Sequence, residues 1–287
     1  MLADWWQYDF LRYTLFSGIL IGLICPILGT FLIVRRLSMM ADGLSHVTLS
    51  GVAAGMLLSK KIAFLGAVNP LFFGMLFSVI GSLFIERLRK VYKAYQDLAI
   101  PIILSAGLGL FTVLVSIADG FTTDLYSYLF GKIVTVSRDD LYALLGVGAV
   151  VIGTVFFLYK ELFAVSFDEE HARVSGVARK TINLWFMVLV ALTIAASMRI
   201  VGVLLISALI TIPVAASLQI ARSFRQAILY ATVFAEISVL SGLYFAYLLD
   251  WASGGTIVLM AVLLLLVVLA SKKTGAWIRR MREENRA

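Results

Sequence analysis

The stretch GTIVLMAVLLLLVVLASKK, residues 255–273, decides what kind of molecule this is. No charged residue falls between Asp250 and Lys272, and the lysine pair closes the run. A helix crossing a bilayer needs about 20 predominantly apolar residues. Composition extends the reading to the whole chain. Of 287 residues, 61% are hydrophobic and 14% charged, where soluble proteins carry roughly 45–50% and about 25%. So few charges cannot cover a water-facing surface, and the sequence is that of an all-α polytopic membrane protein.

Working back from that run, similar segments lie at about 12–34, 40–59, 62–86, 99–117, 138–160, 181–198, 200–221 and 226–249. Together they predict about nine transmembrane helices, with eight as the alternative count. Basic residues gather at Arg35–Arg36, from Arg87 to Lys93, from Arg173 to Lys180, at Arg222 and Arg225, and from Lys272 onward. Positively charged loops stay on the cytoplasmic side. The N-terminus is therefore expected outside and the C-terminus in the cytoplasm, with the loops near 60, 118–137, 199 and 250–254 facing outward. Trp5–Trp6 reads as an interfacial anchor. Acids stand where a cleavable signal peptide would be basic, so none is expected.

The net charge of +7 belongs to these bracketing loops and not to a nucleic-acid groove. One cysteine, Cys25, allows neither an internal disulfide nor a cysteine-rich metal site. The longest loops, about 20 residues, are too short for a nucleotide-binding domain. No G-x-x-x-x-G-K-[ST] loop occurs, and the lone Gly131-Lys132 lacks its context. If nucleotide drives the protein, another chain binds it. Residues 1–287 form a single transmembrane domain with a tail over 272–287. That tail, KKTGAWIRRMREENRA, carries six basic and two acidic residues and reads as a solvated helix extension.

Ionisable residues inside spans are costly and mark function. Met40-Ala-Asp42-Gly-Leu-Ser-His46-Val-Thr-Leu-Ser50-Gly51 is the strongest instance. Asp42 and His46 are four residues apart, on one helical face. Ser50 continues the row, and Gly43, Gly51 and Gly55 thin the helix for close packing. A carboxylate and an imidazole suit zinc or manganese, although both groups also have purely structural uses as a cap and a hydrogen-bonding partner. The other histidine, His171, falls in a loop, so one chain supplies two good ligands here. Further residues complete the site, or a two-fold dimer brings two pairs together. Glu236, mid-span in AEISVLSGLYFAY, is a weaker metal or proton candidate, or a carboxylic acid hydrogen-bonded between helices. Asp119, Asp124, Asp139, Asp140 and Asp250 suggest a slightly acidic outer mouth. Pro26 and Pro213 predict kinked or broken helices. Residues 166–180, with acids first and bases last, predict a short cytoplasmic helix capped by Asp168 and ended by Gly176.

With these residues in view, the chain resembles the integral-membrane permeases of ATP-binding-cassette importers for zinc, manganese or iron(II). The likeness rests on RRLSMMADGLSHVTLSGVAAG at 35–55, FDEEHARVSGV at 167–177, VGVLLISALITIPVAASLQIARSFRQ at 201–226 and GGTIVL at 254–259. FDEEHARVSGV and SYLFGKIVTVS at 127–137 look closest to the zinc branch. The resemblance implies that Asp42 and His46 line the metal pathway. It implies that Asp168, Glu169, Glu170, Ala172 and Gly176 form the coupling helix that docks on the ATPase. It further implies a homodimer with two cytoplasmic ATPase subunits and an extracellular metal-binding protein, set in a bacterial plasma membrane among membrane lipid. The chain itself would be no enzyme, would hold no permanent cofactor and would move Zn2+ (or Mn2+). Two other readings of the residues compete. An ion-coupled secondary transporter would use Asp42 and Glu236 for protons, and leaves the 166–180 helix unexplained. An intramembrane hydrolase would want a further ligand and base, such as H-E-x-x-H, which the chain lacks.

Overall fold

A computed structural model describes residues 8–61, 68–118, 123–131 and 136–284. The described chain is all-helical. Its helices are α1 Asp9–Val34, α2 Met40–Lys61, α3 Pro70–Val91, α4 Ala99–Ile117, α5 Thr123–Phe130, α6 Arg138–Phe157, α7 Tyr159–Phe167, α8 Glu169–Val174, α9 Arg179–Val201, α10 Val203–Leu218, α11 Phe224–Leu249 and α12 Ser253–Glu284. Seven are long and apolar enough to cross a membrane: α1, α3, α4 with its preceding turn, α6, α9, α11 and α12. The remaining two expected spans fall on α2 and on the shorter α10, which do not meet that measure unaided.

Local chemistry sets the ends. The third span, expected from 62, begins as a helix at Pro70, because the Asn69 side chain accepts from the Leu71 amide and proline suits the first helical position. Helix α6 starts where Ser137 and Asp140 form a reciprocal capping box. Helices α9 and α10 are separated only by Gly202, whose φ of 88° lets the chain turn back. Pro26 and Pro213 lie within continuous helices, so neither breaks its segment. The outer segment read as a loop over 118–137 contains α5, whose Leu125 and Tyr128 are buried. Helix α12 runs on through Glu284, carrying the tail as a helical extension. Trp5–Trp6 lie outside the described residues.

Helices α1 and α9 are the most enclosed spans. Phe31 of α1 lies at the centre of an aromatic cluster, edge-on to Phe186 (6.1 Å), Tyr159 (6.4 Å) and Phe224 (5.0 Å) between ring centroids. Cys25 is buried with its Sγ 3.8 Å from Ser197 Oγ. Around this pair, α2 packs on α3 and α4 to one side, while α10, α11 and α12 pack together on the other. Helices α2 and α10 meet between the two groups.

Candidate metal pathway and coupling helix

Asp42 lies in the first turn of α2, where its charge favours the helix N-terminus, and His46 follows one turn later. Both are half-buried while their neighbours Leu44, Ser45 and Thr48 are enclosed. Ser207 of α10 reaches Asp42, its Oγ donating to Oδ1 at 3.5 Å. His46 Nδ1 is enclosed and has no hydrogen-bond partner among the described residues. The hydrogen-bonding capacity of that ring nitrogen is therefore unused within the chain.

The half-buried face continues along α10. Ser207, Thr211 and Ala215 recur at helical spacing and are all half-buried, and Leu218 beyond them is exposed. The Thr211 hydroxyl donates to the Ser207 carbonyl at 2.8 Å, so it adds little free polarity. What results is a half-buried stripe of small residues, with one carboxylate and one imidazole at one end.

One expectation about α2 changes, and another is made specific. Ser50 does not extend the ligand row, because its hydroxyl donates to the Gly107 carbonyl of α4 at 2.6 Å. The α2 glycines thin the helix for neighbours within the same chain. A Cβ at Gly43 would meet Ile100 at 3.2 Å, and one at Gly51 would meet the Phe73 carbonyl oxygen at 2.6 Å. They therefore leave the Asp42–His46 face to other contacts.

Glu236 is brought to neither ligand. Its carboxylate lies against α1, where a Cβ on Gly22 would come within 2.9 Å of it. It makes no hydrogen bond to the described residues, so the expectation of a hydrogen-bonded interhelical acid does not hold among them. Among the described residues, no three His, Cys, Asp or Glu side chains group closely enough to hold a metal. The acidic mouth is also reduced. Asp140 is buried and pairs with Arg199, accepts from Ser137 N at 2.9 Å and from Asn69 Nδ2 at 3.3 Å, and is thus neutralised. Asp119 lies outside the described residues.

The helix within 166–180 is the six-residue α8. Asp168 caps it, accepting from the Glu170 and His171 amides at 3.0 and 2.9 Å. Its far end closes with Val177 N donating to Ala172 O (3.0 Å) and Gly176 N to Arg173 O (3.2 Å), the paired bonds of a Schellman motif. Gly176 has φ 82° and open space around it, so conformation and not crowding calls for glycine. Ala172 is fully buried against the core; Glu169 pairs with Arg179; Glu170 and Val174 are exposed.

Arg35 is a residue that the sequence pattern did not single out. It stands at the turn between α1 and α2, and its guanidinium donates to Ser166 Oγ (2.8 Å), Asn183 Oδ1 (2.9 Å) and the Leu162 carbonyl (3.4 Å). It also lies 4.4 Å from the centroid of the Phe186 ring. Burial pushes its pKa down to about 10, against the pull of the Glu169 carboxylate and with added repulsion from Arg89. The turn that leads into the Asp42 helix is thus tied to the segment that leads into α8.

A bundle of helices of which seven are long and apolar enough to cross a membrane is a polytopic membrane protein by architecture. Comparison with known proteins gives the family. Residues 7–272 match the model of the ABC 3 transport family, and the chain belongs to it. It is a multi-pass membrane permease of that family. It is 36% identical over 269 residues to a probable metal transport system membrane protein of Treponema pallidum, covering 94% of this chain and 98% of that one. It is 31% identical to the manganese transport system membrane protein MntC of Listeria monocytogenes, covering 96% of both. Among solved structures, PsaBC from Streptococcus pneumoniae in complex with Fab matches with a TM-score of 0.80 and 29% identity, covering 93% of this chain and 95% of that one.

Proposed function

We propose that the chain is the membrane subunit of an ABC importer for a divalent transition metal, with Mn2+ as cargo ahead of Zn2+. The observation that carries this is the Asp42–His46 pair on a half-buried stripe, with the imidazole Nδ1 unpartnered. A carboxylate oxygen with one imidazole accepts either metal. Relatives named for manganese transport support manganese over the zinc branch that the loop wording suggested. A pair of chains related by a two-fold axis would turn two ligands into four, and two facing carboxylates would repel without a cation between them.

In this reading, ATP is hydrolysed on separate cytoplasmic subunits that dock on α8, and an extracellular binding protein delivers the metal. All nine long helices cross the membrane. Helices α2 and α10 are shielded by the other seven, and α8 lies on the cytoplasmic side. Cysteines placed at 91 and 172 should then label from inside and one at 252 from outside; the reverse would overturn the orientation.

The metal assignment has its own test. Asp42→Asn and His46→Ala, each in membranes holding the assembled transporter, should abolish radiolabelled Mn2+ uptake without lowering the amount of assembled complex. Competition between Mn2+ and Zn2+ then ranks the cargo. Near-normal uptake by both variants would make the pair structural and leave Glu236 as the remaining acid to test.

A further inference from the structure

Helices α6 and α11 both pack on α1 but leave a gap between them near the end of the bundle that carries α8. The gap is a groove of about 1140 Å³. Ile27 forms its floor, Ile152, Val155, Phe156 and Phe157 one wall, and Phe224 and Ile228 the other. Phe156 and Phe157 are 78% and 80% exposed, among the most exposed large apolar side chains described. At the mouth stand Lys160 and Arg225, both exposed. Lys160 makes no ion pair or hydrogen bond to the described residues, and Arg225 lies over the Tyr159 ring at 5.5 Å without a carboxylate partner among them. Ser223, the N-cap of α11, adds a hydroxyl there. Glu161 also lines the groove; its Oε2 is enclosed by protein and has no hydrogen-bond partner among the described residues, so the mouth carries two cations against one acid.

From this juxtaposition we infer that the groove is a binding site for one anionic phospholipid, its phosphate between Lys160 and Arg225 and an acyl chain along Ile27, Ile152, Val155 and Ile228. The occupant follows from the chemistry. An apolar trough open to the side suits an acyl chain. Two cations without acidic partners, at an aromatic boundary, suit a headgroup with net negative charge. A soluble anion would gain nothing from the apolar walls, and a zwitterionic lipid would gain little from the cations. The site adjoins the α7–α8 segment, so a lipid there would brace the element that bears the coupling helix. That last consequence rests on the coupling role proposed above; the lipid site itself does not.

Native mass spectrometry of the full chain, released from micelles with phosphatidylglycerol or with phosphatidylcholine of the same acyl chains, tests the site. The wild type should retain phosphatidylglycerol more strongly. Each cation near a charged headgroup is worth about fivefold in affinity, so Lys160→Gln with Arg225→Gln should erase a preference of about 25-fold. The double variant should keep the wild-type thermal midpoint in phosphatidylcholine, which shows that it folds. Ile152→Trp, which fills the groove and leaves both cations, should weaken retention of both lipids. Equal retention of the two lipids by the wild type overturns the inference, as does a double variant that keeps the preference. A thermal shift reproduced by inorganic phosphate alone would also overturn it, by showing that the cations bind free anion. Since no metal or ATPase enters the measurement, its failure leaves the transport reading untouched.

Discussion

Replacing Arg35 tests whether the turn into the helix that carries Asp42 and His46 is held to the segment that carries α8. Arg35→Ala removes two short charge-assisted hydrogen bonds, at 2.8 Å to Ser166 and 2.9 Å to Asn183, and a guanidinium stacked 4.4 Å from the Phe186 centroid. Hydrogen bonds to charged groups contribute about 1.5–3 kcal/mol each, and the ring contact about 1 kcal/mol. Against this, the lost cation no longer bears the burial that pushes its pKa down to about 10. The net cost is therefore about 2–4 kcal/mol, which for a chain of this size lowers the thermal midpoint by roughly 5–10 °C. Arg35→Lys should fall between, because an ammonium cannot reproduce the planar fork or the stack. Arg36→Ala, one residue on and exposed, should leave the midpoint unchanged. Tryptophan fluorescence on heating the purified chain reads all three. If Arg35→Ala melts with the wild type, or Arg36→Ala falls as far, the tie contributes nothing and the reasoning fails.

Two further outcomes follow from the site geometry. Gly176→Val should cut uptake severalfold while Gly176→Asn is tolerated, since the position demands φ of 82° but has room for a side chain, and asparagine adopts that region readily; equal uptake by the two variants would show that the turn does not matter. Metal ligands must be unprotonated, so Mn2+ uptake should fall as external pH is lowered; uptake that stays flat down to the carboxylate range, about pH 4, would remove His46 from the pathway.

What the sequence made legible was whatever depends on neighbours along the chain. The apolar runs located nine helices, and the four-residue spacing placed Asp42 and His46 on one face. Gly176 and Asp168 announced the ends of α8, because caps and Schellman turns are written within a few residues. What stayed hidden depends on distant segments meeting. Nothing local in FDEEHARVSGV says that Glu169 pairs with Arg179, and nothing in RRLSMMADG says that Arg35 reaches Ser166 and Asn183. Asp140 looked like a surface acid because its burial arises from Asn69 and Arg199, on two other helices. Likewise the glycines of α2 announced close packing, but not that α3 and α4 would be the partners.

The two helices that fall short as spans, α2 by its polar residues and α10 by its length, are the two that bear the candidate pathway, and both need the screening of other helices. A polar side chain facing lipid costs several kcal/mol, whereas the same group costs little inside a bundle or a water-filled seam. Only a helix screened by others can be polar or short. Helix α2 has α3, α4, α9 and α10 around it, and α10 has α1, α2, α11 and α12. Thirteen of the 22 residues of α2 are buried, among them Ser45, Thr48 and Ser50, whose hydroxyls donate to carbonyls at 2.6–3.0 Å. With those hydroxyls satisfied, Asp42 and His46 remain as half-buried ionisable groups in the enclosed first half of the helix. A weakly apolar segment such as α2 between strongly apolar ones is therefore a pointer to a helix screened by its neighbours, and it can be read before any contact is known.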